Sequence, residues 1–181
     1  MDNDLKIILS EIESVFKQSD NELLDVFISE ITKANKIVCV GAGRVGLAMR
    51  GFSMRLTHLG YQAHYWGETN VPKLDSRDLL IIGSGSGETR TILKIAEIAK
   101  KEEIPILLVT SKTHSSIMSL ANVGLTIGNG SGVAETVNSI QPMTTLFEQC
   151  ISLYLDSIVI KLMKSTLQNS KDLENRHNVL E

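Results

Sequence analysis

Five short apolar segments, each about the length of a β-strand, recur along the chain. They cover residues 37–40, 62–66, 79–82, 106–110 and 123–127. Helical spacing of apolar residues follows the first segment at 45–59 and the third at 92–101. Strands joined by helical crossovers run parallel, and their sheet is covered on both faces. The pattern predicts an α/β fold, a three-layer α/β/α sandwich of flavodoxin-like type around a five-stranded parallel sheet.

Amphipathic segments flank this alternating region. Two helices are predicted at the start, and their apolar residues include Leu5, Ile8, Ile12, Leu24, Phe27 and Ile31. A long helix is predicted over 142–164. We therefore expect one domain over 1–181, with N-terminal helices (1–34), an α/β core (36–164) and a C-terminal tail (165–181).

Composition narrows the function classes. The 181 residues are 43% hydrophobic and 22% charged, which is typical of a globular domain, and the net charge of −3 comes without a basic run. This balance disfavours nucleic-acid binding through a charged surface. No segment reaches the roughly 18 uncharged apolar residues of a membrane span, so we expect a cytoplasmic protein. Cys39 and Cys150 lie in apolar surroundings, which favours free buried thiols over a disulfide or a zinc site.

The run Ser84–Thr89 is the strongest indication of a ligand site. It joins an apolar strand to a helix start, where unpaired backbone N–H groups attract anions. The hydroxyls of Ser84, Ser86 and Thr89 add donors for phosphate oxygens, and glycines such as Gly87 let the backbone approach a ligand. The pattern favours a phosphate cradle over an ordinary N-cap.

Glu88 lies within the same run. An acidic side chain at a helix start is stabilised by the helix dipole whatever its function. Its structural and catalytic interpretations therefore both stay open.

A second glycine-rich turn, Gly41–Gly46, fits the G-x-G-x-x-G pattern of dinucleotide-binding turns. That function needs an acid at the end of the second strand to hold the ribose. The first acid there is Glu68, which lies beyond the strand. We therefore favour a second turn that faces the same ligand, with Gly43 at the backbone and Arg44 available to an anion or to a neighbouring carboxylate.

Two further residues are candidates for catalysis. Glu148 lies in the apolar predicted helix, where it is either an exposed or salt-bridged acid or a partly desolvated base whose pKa is raised toward neutrality. His177 lies in the polar tail, where histidines are usually solvated, but Val179 and Leu180 nearby suggest that the tail packs against the domain.

These turns resemble those of the sugar isomerase (SIS) domain family, whose S-x-S-x-x-T signature matches Ser84, Ser86 and Thr89. Within that family, the resemblance is to the 6-phospho-3-hexuloisomerases and covers nearly the whole chain. It rests on the residues 41–44, 54–56, 82–89, 141–143 and 146–149 and on the terminal 176–177 and 180–181.

The resemblance implies an enzyme of the ribulose monophosphate pathway, which assimilates formaldehyde. Its members convert D-arabino-3-hexulose 6-phosphate to fructose 6-phosphate through a cis-enediol, without a cofactor or metal, as homotetramers. By position, Ser84, Ser86, Thr89 and the Gly87 N–H would hold the phosphate. Glu148 would be the base, and His177 would act as an acid/base or positioning group from its own or a neighbouring subunit.

Three departures from the subfamily pattern concern the choice of sugar. Val45 stands where serine is usual, residues 128–133 lack the usual Pro-Gly and lysine, and the tail at 176–181 lacks the usual asparagine before its final Leu-Glu. The alternatives are therefore an isomerase of a related ketose phosphate or a non-catalytic phosphosugar sensor. A nicotinamide-dependent oxidoreductase is a further alternative, for which NAD(P)H would shift the thermal midpoint.

Overall fold

The computed structural model describes residues 2–177 and residue 179, with only the backbone described at Ala134 and Thr136. The elements in chain order are α1 (Asn3–Phe16), α2 (Leu24–Lys33), β1 (Lys36–Gly41), α3 (Gly43–His58), β2 (Gln62–Tyr65), β3 (Leu79–Gly83), α4 (Arg90–Lys101), β4 (Ile106–Thr110), β5 (Val123–Thr126), α5 (Val133–Thr136), α6 (Thr145–Ser165) and α7 (Ser170–Glu174). The predicted packing of Val179 is wrong, since its side chain is 93% exposed, and that of Leu180 lies outside the described residues.

The five strands form one parallel sheet in the order β2-β1-β3-β4-β5. In the central pairs, Val38 lies opposite Leu80, and Ile82 lies opposite Leu108. The predicted five-stranded parallel sheet is therefore confirmed. Because β1 pairs with β2 on one side and β3 on the other, the chain reverses its direction of progress across the sheet between β1 and β3.

Alternate residues of each strand enter different cores, as the two-residue period of a strand requires. Ile37, Cys39 and Ile81 face a layer built from α1, α2, α3 and α6. Val38 and Ile82 face the opposite layer, which contains α4. Both cysteines, Cys39 and Cys150, are buried free thiols, as predicted.

The second layer differs from the sequence-based expectation of helices between strands. Only α3 and α4 connect successive strands as helices, whereas β2–β3 and β4–β5 are joined by irregular segments at 66–78 and 111–122. Apolar side chains from these segments pack on the sheet where a helix was expected, and they include Val71, Leu74, Ile117 and Leu120. Pro72 disfavours a helix in the first segment, and the second contains a short series of turns in which the Ser115 hydroxyl accepts the Met118 N–H.

Helix starts also shift by a few residues from their predicted positions. α3 begins at Gly43 rather than at 45, and α2 begins at Leu24, after a turn. α6 begins at Thr145 rather than at 142, because Met143 has a φ of 57°, which no right-handed helix contains. Among the described residues, no helix is long and apolar enough to cross a membrane.

Candidate functional site

A cavity of about 630 Å³ opens at the carboxyl edge of the sheet, a volume typical of small-molecule sites. Three strand-end turns line it, and they contribute Gly43 and Arg44 after β1, Ser86 and Thr89 after β3, and Ser111 and Lys112 after β4. The segment between β5 and α6 covers the cavity with Glu135, Gln141 and Thr144, and α6 adds Glu148. Parallel strands bring these turns together because all their carboxyl ends share one edge.

The hydroxyls of the turn after β3 have two different roles. Ser84 is buried, and its Oγ accepts the Gly87 N–H at 3.2 Å and lies 3.3 Å from Thr89 Oγ1. Ser84 therefore shapes the turn from inside, and the Gly87 N–H is engaged by it. Ser86 and Thr89 line the cavity beside the first turn of α4.

Gly87 is required at its position in this turn. Its φ is +66°, and a Cβ there would overlap Ser115 Oγ. Its carbonyl accepts the Ile117 N–H at 3.1 Å. The turn is thus packed against residues 115–117, where any side chain at position 87 would force it away.

The turn is also tied to the end of β4. The carbonyl of Gly85 accepts the Thr110 hydroxyl at 3.1 Å, the Ser111 hydroxyl at 2.8 Å and the Ser111 N–H at 3.1 Å. Three donors on one oxygen fix the relative positions of the two turns. Sequence reasoning missed Ser111, although its position directly after an apolar strand is the signal that singled out Ser84.

Glu88 points away from the ligand side of the turn. Its Oε1 accepts the Ser116 N–H at 2.7 Å, and it is not among the cavity-lining residues. The hydrogen bonds from Ser116 lower the pKa of the Glu88 carboxyl. The geometry favours the structural interpretation of this residue.

Arg44 and Glu148 form an ion pair in the wall of the cavity. Arg44 Nη1 lies 3.0 Å from Glu148 Oε2 and donates to Thr145 Oγ1 at 3.2 Å. The Thr144 hydroxyl donates to Glu148 Oε1 at 2.9 Å. The Glu148 side chain is only 15% exposed and lies in the first turn of α6. The ion pair and the partial burial, which the sequence left as alternatives, occur together here.

Close packing explains the glycines of the G-x-G-x-x-G turn. A Cβ at Gly46 would approach the Gly41 carbonyl and the Tyr65 hydroxyl to 2.7 Å each, and that hydroxyl donates to the same carbonyl at 3.0 Å. Glu68 lies 3.8 Å from His64 and does not line the cavity. The glycines let α3 begin close to β1, and the acid that a dinucleotide ribose would need is not at the site.

His177 does not reach the cavity of its own chain. Its ring packs against that of His58, with centroids 5.1 Å apart, and Arg176 Nη1 donates to the His58 carbonyl at 3.1 Å. His58 ends α3, whereas Gly43 at the cavity begins it. At 1.5 Å per residue, the two ends lie about 22 Å apart. The structure therefore separates His177 from the other candidate residues within one chain.

A buried carboxylate under the covering segment was missed from the sequence. Glu11 is 6% exposed, and it accepts hydrogen bonds from Ser139 Oγ at 2.7 Å, from the Ile140 N–H at 2.8 Å and from Gln141 Nε2 at 2.9 Å. Burial opposes ionisation, but these three hydrogen bonds together outweigh it and lower the pKa of Glu11. A signal was present, since Glu11 interrupts the apolar face of α1 four residues before Val15.

An ion pair between Lys112, at the end of β4, and Glu135, in α5, was also missed from the sequence. Both residues line the cavity. Lys112 Nζ lies 3.1 Å from Glu135 Oε1. Nothing local in the sequence links these residues, because one follows a strand and the other lies in a four-residue helix. Across the described chain, no group of three His, Cys, Asp or Glu side chains could hold a metal ion.

Comparison with known proteins identifies the class. The SIS domain model matches residues 30–153, more than half of the chain. The chain therefore belongs to the SIS domain family, as its S-x-S-x-x-T turn indicated.

Particular relatives extend the match over the full length. The 3-hexulose-6-phosphate isomerase of Bacillus subtilis is 36% identical, with coverage of 96% of this chain and 95% of the relative. That of Mycobacterium gastri is 31% identical, with coverage of 99% and 90%. A crystal structure from Methanococcus jannaschii, for which a molecular function of 3-hexulose-6-phosphate isomerase has been inferred, matches with a TM-score of 0.84 at 32% identity and covers 98% of both chains.

Proposed function

We propose that the protein is an isomerase that interconverts D-arabino-3-hexulose 6-phosphate and fructose 6-phosphate through a cis-enediol. The observation that carries the proposal is the placement of a hydroxyl-lined turn and a partly buried, ion-paired carboxylate in one cavity. The names of full-length relatives at 31–36% identity support the same substrate class. We further propose that the reaction belongs to the ribulose monophosphate pathway and takes place in the cytoplasm.

The phosphate is assigned to the turn after β3. Ser86 and Thr89 offer hydroxyl donors, and the twelve-residue helix α4 begins immediately after Thr89. A helix N-terminus with adjacent hydroxyls is a favourable anion site. Held there, the phosphate orients the distant carbonyl carbons of the sugar, which lowers the barrier by fixing the reactant in place.

The base is assigned to Glu148. Two carboxylates line the described cavity, but Glu135 has a 54% exposed side chain whereas Glu148 has 15%. A carboxylate that is shielded from water suits removal of the proton from C2 of the 3-ketose and its return to C3. Arg44 beside it supplies a donor for the oxygen that becomes negative in the enediol intermediate.

We further propose that the working unit is a homotetramer, in which His177 approaches the site of a neighbouring copy. The support is a groove between α3 and α6 with apolar side chains in solvent. Leu47 is 66% exposed, Leu153 48% and Met54 44%. Apolar side chains gathered in one exposed groove are typical of interfaces between subunits.

Solvent exchange tests the reaction. In D₂O, fructose 6-phosphate incubated with the protein should gain deuterium at C3, because the enediol between C2 and C3 loses that proton. Exchange at C1 would instead indicate isomerisation toward an aldose. Binding of fructose 6-phosphate with neither exchange at either carbon nor formation of the 3-ketose would contradict the isomerase proposal and favour a phosphosugar sensor.

Glu148→Gln tests the base. The amide keeps the size and the acceptor for the Thr144 hydroxyl, so the fold should remain, while kcat falls by about 10² to 10⁴. Glu97→Gln is the matched control, because Glu97 is exposed on α4 and pairs with Lys94, outside the cavity. Equal kcat for Glu148→Gln and wild type would remove Glu148 from the mechanism.

A further inference from the structure

Lys112 stands directly beside the proposed phosphate site. It follows Ser111, whose hydroxyl and N–H both donate to the Gly85 carbonyl within the β3 turn. The backbone of Lys112 is therefore fixed against that turn. Its side chain lines the same cavity as Ser86 and Thr89.

The charges of the cavity are divided between its two sides. Among the described lining residues, the cations are Arg44 and Lys112. Arg44 follows β1 and is engaged by Glu148, whereas Lys112 follows β4, and β3 with its turn lies between the two strands. A phosphate monoester carries a charge of about −1.5 to −2 at neutral pH. Of these two described cations, Lys112 is the one that can compensate that charge without withdrawing the cation from the proposed base.

Lys112 is held by a carboxylate. Its Nζ lies 3.1 Å from Glu135 Oε1, and the side chains of the pair are 36% and 54% exposed. The Lys112 ammonium lowers the pKa of Glu135. Exposed ion pairs of this kind are weak. A phosphate dianion, with a higher charge and more acceptor oxygens, can therefore replace the Glu135 carboxylate on Lys112.

Gly132 makes room for this pair. Its φ is +122°, and a Cβ there would lie 3.0 Å from Lys112 Cε and would overlap the Glu135 carboxylate. The chain thus passes the ion pair at a residue without a side chain. The backbone of the covering segment therefore leaves space for the ion pair at Gly132.

We propose that Lys112 binds the phosphate of the substrate, and that Glu135 competes for Lys112 when the site is empty. The proposal rests on the proposed function for the identity of the ligand as a phosphosugar. Binding of the phosphate releases Glu135 from Lys112, and this breaks the contact between the end of β4 and α5. Glu135 therefore weakens phosphate binding, while Lys112 strengthens it.

The test is calorimetric titration with inorganic phosphate and with fructose 6-phosphate. Lys112→Gln should weaken both by about tenfold or more, as loss of a charged hydrogen bond does. Lys112→Arg should retain most of the affinity, since it keeps the charge. Glu135→Gln should tighten both ligands several-fold. In turnover assays, Lys112→Gln should raise KM and leave kcat nearly unchanged.

Opposite changes in affinity for Lys112→Gln and Glu135→Gln distinguish a phosphate-binding role of Lys112 from a purely structural ion pair. If the pair only stabilised the covering segment, Lys112→Gln and Glu135→Gln would shift affinity in the same direction, and that result would overturn the proposal. Unchanged affinity in Lys112→Gln, with the thermal midpoint and turnover of wild type, would also overturn it while leaving the isomerase intact. Conversely, opposite shifts in a protein that binds phosphosugars without C3 exchange would support Lys112 and refute the isomerase. Failure of wild type to bind either ligand would overturn both proposals.

Discussion

Arg44 and Glu148 form an ion pair, with Nη1 and Oε2 3.0 Å apart, that joins the turn after β1 to the first turn of α6. The two residues are remote in the sequence, and only the packing of α3 against α6 brings them together. The Thr144 hydroxyl donates a hydrogen bond to Glu148, and the Thr145 hydroxyl accepts one from Arg44. The carboxylate is thereby held in one orientation at the cavity wall, which is what a proton transfer at a fixed carbon needs.

Removal of the arginine should therefore impair chemistry more than binding. We expect Arg44→Met to lower kcat by about 10²-fold, because the carboxylate loses its orientation and the enediol loses a donor. Arg44→Lys should recover part of the loss, since it restores the charge without the planar fork. Arg50→Met is the control, because Arg50 is exposed on the same helix and lies over the Tyr65 ring. Steady-state kinetics would contradict the role if Arg44→Met changed KM alone.

The β3 turn should resist any side chain at position 87. We expect Gly87→Ala to lower the free energy of unfolding by about 2–4 kcal/mol, from the overlap with Ser115 and the positive φ together, and to weaken phosphate binding. Gly67→Ala separates the two causes, because Gly67 has a φ of +102° but no atom within 4 Å of its Cβ. It should cost only about 1 kcal/mol in urea unfolding. Equal costs at the two positions would show that contact with Ser115 is unimportant.

Glu11 should support the covering segment in its ionised form. We expect Glu11→Gln to lower the free energy of unfolding by about 1–3 kcal/mol at neutral pH, because an amide cannot accept all three hydrogen bonds. The folded state lowers the pKa of Glu11 below 4.5. The stabilisation is therefore fully present above pH 4.5 and is lost as pH falls through the lowered pKa.

The difference between wild type and Glu11→Gln should accordingly shrink in acid, as measured by urea unfolding from pH 7 to pH 3. Glu13→Gln, on the exposed side of the same helix, should change stability little at any pH. A difference that is constant over this range would show that the charge of Glu11 contributes nothing.

Subunit complementation tests the proposed trans role of His177. We expect the Glu148→Gln and His177→Ala proteins each to be nearly inactive as homo-oligomers. Refolded together, they should regain a measurable fraction of wild-type activity, because some mixed sites combine an intact Glu148 with an intact His177 from another copy. No recovery in mixed oligomers of confirmed composition would place both residues in one chain's site or exclude His177.

A companion variant addresses the assembly itself. Leu47→Glu places a charge in the exposed groove between α3 and α6, and we expect smaller particles in light scattering after size exclusion. If His177 acts in trans, isomerase activity should fall with the assembly. An unchanged mass would contradict this groove as the interface.

Local patterns in the sequence predict much of this molecule. The apolar runs at 79–82 and 106–110 predict strands because burial on both faces requires continuous apolar residues. The hydroxyls and glycines of Ser84–Thr89 predict a ligand turn because a parallel sheet presents its strand ends at one edge. What these patterns overestimate is the helical content of the connections, since residues 66–78 and 111–122 cover the sheet without a helix.

The turn Ser84–Thr89, to which we assign the phosphate, thus follows from residue type and local spacing in the sequence. The partners of its chemistry are decided by tertiary structure: Arg44 with Glu148, Lys112 with Glu135, and Glu11 with Gln141. Each pair joins elements that strand order and helix packing bring into contact, and no local periodicity records such a contact. The same packing holds His177 at the far end of α3, which a linear motif could not reveal.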